Sequence, residues 1–252
     1  MFSANGDVLQ PSEFLYRKPI LVERGSFRPV CNVNIDMMSC AHQKFSELPD
    51  VNGKPVAQIM EITMRNLKAE GEINHRDFLA RADVMAACGM TVLISDYFEY
   101  YRLAAYLSRY TRERIAITMG AGSLRDLFDE KYYTALDGGI LESFGRLFKN
   151  DLKIYTYPLL DQESGQLMTC ENLDIKPELQ KLYGYLYDRG GINHLDNYNP
   201  DCLGIFSREV LEKISTCDPS WEQMVPMSVA KVIKERRFFD YQCDTTDCSV
   251  QP

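Results

Sequence analysis

The stretch Leu21-Val22-Glu23-Arg24-Gly25-Ser26-Phe27-Arg28-Pro29-Val30-Cys31-Asn32-Val33-Asn34 decides the fold. Ile20 to Val22 is short and apolar, as a buried strand should be. Gly25 is a natural turn residue, and Pro29 limits how the chain continues. Ile35 to Phe45 then carries apolar residues at helical spacing. Strand, turn and helix in this order aim free amides and the positive end of a helix dipole at the space above the strand. That is a ready place for a phosphate.

Downstream, the same alternation repeats. Val56 to Thr63 reads as a strand, and Met64 to Gly71 as a helical turn and a break. Asn74 is placed to cap a helix from His75 to Cys88, stopped by Gly89. Thr91 to Ser95 is a buried-type strand. Asp96 then caps a helix over Tyr97 to Thr111, whose tyrosines make one broad packing face. Arg114 to Met119 is the next strand, and Gly120-Ala121-Gly122 turns it into a helix over Ser123 to Tyr133. A helix over Leu136 to Asn150, a strand over Leu152 to Leu159, a polar excursion over Asp161 to Pro177 and a helix over Glu178 to Asp188 follow. Gly190-Gly191 ends the last of these. His194 falls in the turn-like segment INHLDNYNPD, where a lone histidine reads as a solvated or capping residue. The expected fold class is α/β, a Rossmann-like parallel sheet with helices on both faces.

Gly25-Ser26-Phe27-x-Pro29 resembles the nucleotidyltransferase signature G-[ST]-F-x-P-x-[HT]-x-G-H, in the form carried by nicotinate-nucleotide (nicotinamide mononucleotide) adenylyltransferases. In this register Cys31 stands at the first His or Thr, Val33 at the Gly and Asn34 at the second His. Gly120 and Ala121 match the family's Gly-Ala-Asp turn, with Gly122 in place of Asp. Ile205-Phe206-Ser207-Arg208-Glu209-Val210-Leu211 resembles I-S-S-T-x-I-R. Met224-Val225-Pro226-x-x-Val229-Ala230 resembles the closing V-P-x-x-V helix.

The resemblance implies a nucleotide site of Gly25, Ser26, Phe27, Gly120, Ala121 and Ser207. Asn34 and Arg208 would stand in the catalytic positions, and ATP with Mg2+ would be the cofactors. It implies adenylyl transfer, with a mononucleotide phosphate attacking the α-phosphorus of ATP and pyrophosphate leaving, as in NAD biosynthesis. Asn34 donates one neutral hydrogen bond where His would donate a charged one, and Leu211 donates none. Losing one preorganised donor costs roughly 2.7–4 kcal/mol of transition-state stabilisation. The alternative implied is a degenerate member serving as a structural or accessory subunit of a larger complex, a mitochondrial one included. Catalysis would survive where Arg24, Arg28 and Arg208 are recruited.

The expected organisation is a connector over 1–19, the α/β domain over 20–239 and a polar tail over 240–252. The chain is also similar to the C-terminal half of a longer bacterial family. It is then a shortened form or one half of a split protein, with the missing half or another protein as partner. The 252 residues suffice for a sizeable core. A net charge of −8 argues against nucleic acid as a partner, and no apolar run reaches the length of a membrane span. Residues 1–15 lack the basic and apolar parts of a signal peptide. The eight cysteines therefore read as reduced thiols in a cytosolic or organellar-matrix compartment. Cys243 and Cys248 lack the further ligands a metal clip needs, so no metal site is expected. A Cys31 nucleophile has no histidine partner close by, since His42 falls within the following helix.

Overall fold

The computed structural model describes residues 1–64, 75–162 and 164–243. Its frame is a six-stranded parallel sheet, and each strand is an apolar run short enough to be covered on both faces. The strands are β1 (Ile20–Arg24), β2 (Ala57–Thr63), β3 (Thr91–Ser95), β4 (Ile115–Gly120), β5 (Lys153–Tyr157) and a last, short β8 (Ile192–His194). A two-stranded antiparallel hairpin, β6 (Leu159–Leu160) with β7 (Leu167–Met168), leaves the sheet after β5. The order across the sheet is β3-β2-β1-β4-β5-β8. The chain winds outward from β1 in one direction and from β4 in the other, so the crevice between β1 and β4 is the topological switch point.

The helices are α1 (Pro11–Phe14), α2 (Asn32–Ser46), α3 (His75–Ala87), α4 (Tyr100–Leu107) and α5 (Ala121–Leu127). They continue with α6 (Gly139–Leu147), α7 (Gln180–Asp188), α8 (Ser207–Ser215) and α9 (Met227–Arg236). Alternation along the strands sorts two cores. Leu21, Met60, Ala116 and Tyr155 face one way, against α2, α3 and α9, with Trp221 sealing that layer. Ile20, Val22, Ile59, Ile117 and Ile154 face the other, against α4, α5, α6 and α7.

Several sequence expectations are corrected. The helix expected over 97–111 with Asp96 as its cap spans only Tyr100–Leu107 with Glu99 at the N-cap, because the Arg24 guanidinium takes the carbonyls of Tyr97 and Phe98 at 2.7 and 2.5 Å and keeps them out of the helix. The helix expected over 123–133 starts at Ala121 and stops at Leu127, and Asp129 starts a separate 3-10 turn over Glu130–Tyr132 by accepting from the Lys131 amide. The helix expected over 136–150 is the shorter α6, because Gly139 takes a left-handed φ of +53 and resets the chain before it. His194 ends a strand instead of lying in a turn: Ile192, Asn193 and His194 pair with Ile154, Tyr155 and Thr156. The expectation of eight free thiols fails at one pair. Cys217, just beyond α8, is disulfide-bonded to Cys243, with Cα atoms 5.7 Å apart. The expected Asn74 cap and the break after Met64 lie outside the described residues, as does Cys248.

Residues 1–19 pack on the sheet. Phe2 exchanges backbone hydrogen bonds with Val92 of β3, both 2.9 Å, and Leu15 is fully buried. Residues 237–243 pack back as well, with Phe238 and Phe239 buried and Tyr241 edge-on to Trp221 at 6.0 Å.

Candidate functional site

The Gly25–Cys31 loop lies at the carboxyl end of β1, next to the carboxyl end of β4 where Gly120 opens α5. Gly25 is glycine for a local reason. A Cβ there would come within 3.0 Å of the Phe27 ring, which turns inward and is buried, at a φ of +47. Ser26 stays exposed at the tip. The Arg28–Pro29 peptide is cis.

The loop is fastened on three sides. Arg28 Nε lies 2.7 Å from Asp77 on α3, and Arg81, one turn further along α3, lies 2.5 Å from the same carboxylate. Arg81 also donates to the Ser26 carbonyl at 3.3 Å. From α8, the Ser207 hydroxyl donates to the Arg28 carbonyl at 2.8 Å. At the start of α2, Asn32 donates to the Gln223 carbonyl at 2.8 Å.

Alternation places Glu23 on the α2 face of β1 and Arg24 on the α4 face. Glu23 is buried, and the Asn34 amide donates to its Oε1 at 2.8 Å while Oε2 has no hydrogen-bond partner. Asn34 Oδ1 in turn accepts from the Cys31 amide at 2.9 Å, closing the N-terminus of α2. Burial pushes the Glu23 carboxyl up to about 8, against the lowering effect of the Asn34 bond. Burial likewise pushes the Cys31 thiol up to about 12, so it is a neutral packing group and not a nucleophile. On the other face, Arg24 pairs with its register partner Glu61 (Nε to Oε2, 2.5 Å), and the Ser95 hydroxyl donates to the same carboxylate at 2.5 Å. The guanidinium lies 4.5 Å from the centre of the Tyr100 ring.

On that face a cleft of about 330 Å³ opens beside Arg24 and Gly25, a size suited to a small ligand. Phe98, Tyr100, Tyr132 and Tyr133 form its aromatic walls, and Thr63, Ser123, Glu99 and Asp126, with the Glu61-paired Arg24, are its polar groups. Glu99 pairs with Arg102 at 3.3 Å, and Asp126 is exposed.

The structure thus brings Gly25, Gly120 and Ala121 to one crevice, with Ser207 bonded to the loop. Asn34 faces inward beneath it, and Arg208 stands exposed on the first turn of α8. Of the expected residues, Gly25 lines the cleft together with Arg24, named as a recruited group, and Ser26, Phe27, Asn34, Gly120, Ala121, Ser207 and Arg208 do not. Phe98, Tyr132 and Tyr133 were not singled out from sequence. Phe98 comes from the β3–α4 connection, and Tyr132 and Tyr133 come from the segment between α5 and α6, and isolated aromatic residues in such segments also mark ordinary packing. Among the described residues no three His, Cys, Asp or Glu side chains converge as a metal site, and no helix is long and apolar enough to cross a membrane.

No family model matches the sequence, and neither does any curated protein. Among solved structures the chain is similar to the nicotinic acid mononucleotide adenylyltransferase of Plasmodium falciparum. In its complex with APC the TM-score is 0.52 at 12% identity. In its complex with NaAD the TM-score is 0.54 at 11% identity. Each match covers 90% of this chain and 100% of the other. At such identity the likeness speaks for the fold: this chain has a nucleotidyltransferase-like, Rossmann-type architecture.

Proposed function

We propose that this chain binds a mononucleotide by its ring and has weak or no adenylyl transfer. The observation that carries this reading is a contrast at the switch point. The cleft offers aromatic walls to a planar ring, whereas Arg24, Arg28 and Asn34, the side chains best placed to hold a triphosphate, already bond to the protein. Adenylyl transfer needs donors aimed at the phosphoryl oxygens before charge develops there. Donors that must first break an internal ion pair are not preorganised for that task. Mg2+ would neutralise the ATP phosphates, and the backbone amides at the openings of α2 and α8, with the exposed Ser26 and Arg208, are the groups left to meet them, since the Ser207 hydroxyl is already given to the Arg28 carbonyl. This supports an accessory or binding role over an efficient transferase.

The carboxylates of Asp126 and Glu99 also select the ring. A carboxamide donates to such groups, while a second carboxylate is repelled. Nicotinamide mononucleotide is therefore favoured over nicotinate mononucleotide.

The test is calorimetric titration of the whole chain with nicotinamide mononucleotide, and separately with Mg-ATP, for wild type and for Tyr132→Ala. Expected are saturable mononucleotide binding that Tyr132→Ala weakens and little dinucleotide formed when both ligands are present. Absence of mononucleotide binding at about 10 mM overturns the proposal. Rapid dinucleotide formation would restore the transferase reading.

A further inference from the structure

Two features of the sequence, the polar excursion after β5 and the histidine in INHLDNYNPD, meet in a second pocket of about 260 Å³. It lies at the carboxyl ends of β5 and β8, two strands from the loop of β1. Thr156 and His194, direct partners across the β5–β8 ladder, both line it. The excursion builds the opposite wall. Thr169 and Asn172 close a tight turn (Thr169 amide to Asn172 Oδ1, 2.7 Å), Tyr183 donates to the Cys170 carbonyl at 2.6 Å, and Tyr187 donates to Glu171 Oε1 at 3.3 Å. Side chains of α7 thus brace the wall, and Tyr198 borders the pocket.

The polar groups have a clear bias. Thr156 is 1% exposed, and its hydroxyl has no hydrogen-bond partner apart from the weak capacity of the neighbouring Cys170 thiol. A buried hydroxyl left in this state is costly, and a ligand donor reaching it removes that cost. Glu171 and Asp196 place two carboxylates around the pocket. The cation nearby, Lys44, bonds to Asp196 at 2.9 Å and to the His194 carbonyl at 2.7 Å, and His194 Nε2 lies 2.5 Å from Asp196 Oδ1. An anion entering here would face Glu171 with no uncommitted cation among the residues named. A cation would gain from Glu171 and from the Tyr198 ring.

We propose that this pocket is a second ligand site, separate from the cleft at β1, for a small organic cation bearing N–H donors, a primary ammonium or a guanidinium. Its head reaches Thr156 and its charge is balanced by Glu171.

Agmatine, which carries both head groups, is the probe, and 1,4-butanediol is the neutral control. Titrated into the isotope-labelled full chain, agmatine is expected to give saturable amide shifts at Thr169, Glu171, Leu195 and Asp196, and the diol none. Thr156→Val and Glu171→Gln are each expected to weaken binding about fivefold or more. Gly25→Asp, which damages the loop at β1, should leave agmatine binding intact, so failure here is distinguishable from failure of the mononucleotide reading. No saturable shift at about 10 mM agmatine, equal binding of the diol, or wild-type affinity in both variants would overturn the proposal.

Discussion

The Asn34 side chain donates to the Glu23 carboxyl at 2.8 Å, so the residue at the position of the resembling family's second histidine points into the protein and not at a ligand. Glu23 sits at the last apolar-flanked position of β1, directly below the loop. A carboxylate there would oppose any phosphate above it. Burial keeps the group protonated near neutral pH and limits that repulsion.

This protonation has a stability cost with a definite sign. The unfolded chain ionises Glu23 near 4.5, while the folded chain holds the proton up to about 8. The contribution to stability is therefore full below about 4.5 and is lost as the pH rises toward about 8, by roughly 1.4 kcal/mol per unit and a few kcal/mol in all. Glu23→Gln retains an acceptor for Asn34 and removes the titration. Urea denaturation from pH 5 to pH 9 should show wild-type stability falling up to about pH 8 and levelling beyond it, with a flatter profile for the variant. Parallel profiles would refute the assignment.

Asp77 is the common anchor of Arg28 and Arg81. Asp77→Asn leaves two partly buried guanidinium groups without their anion, a loss of about 3 kcal/mol. Hydrogen exchange at Ser26 to Arg28 should accelerate more than exchange in β4. An effect spread evenly over the molecule would mean that Asp77 supports α3 and not the loop.

The Cys217–Cys243 bridge closes a loop of 26 residues. Constraining the unfolded chain to that extent corresponds to about 3 kcal/mol. Cys243→Ser, or wild type under reductant, should lose that much in denaturant titration, and Trp221 fluorescence should report release of Tyr241. An unchanged midpoint would show that the bridge does not form in solution.

Asp126 offers a test of ring selection. Asp126→Asn removes one of the two carboxylates from the rim of the cleft and should narrow the preference for nicotinamide over nicotinate mononucleotide severalfold, read as a ratio of dissociation constants. A preference unchanged by the substitution would move selection elsewhere.

The central strands were legible because β1 to β5 are compact apolar runs, and the observed limits fall within two residues of the expected ones at most ends. β8 was not, since Ile192 is its one apolar residue and its pairing partner lies in β5. The late start of α4 was equally hidden, because its cause is Arg24, distant in sequence. For the site, the turn at Gly25 announced itself through local chemistry. The cleft did not: its walls bring Phe98, from the connection after β3, against Tyr132 and Tyr133, from the connection after β4, and only the sheet order makes the two connections neighbours.

That sheet order also governs how the site comes into being. β1 lies between β2 and β4, and Ile20 meets Ile115 only after about a hundred residues have been made. During synthesis the strand that bears the loop waits with one edge open until β4 emerges. A fragment ending before Arg114 would carry every residue of the loop and still lack half the ladder that holds it. The crevice between β1 and β4 is in this sense a late product of folding, assembled from the oldest part of the nascent chain.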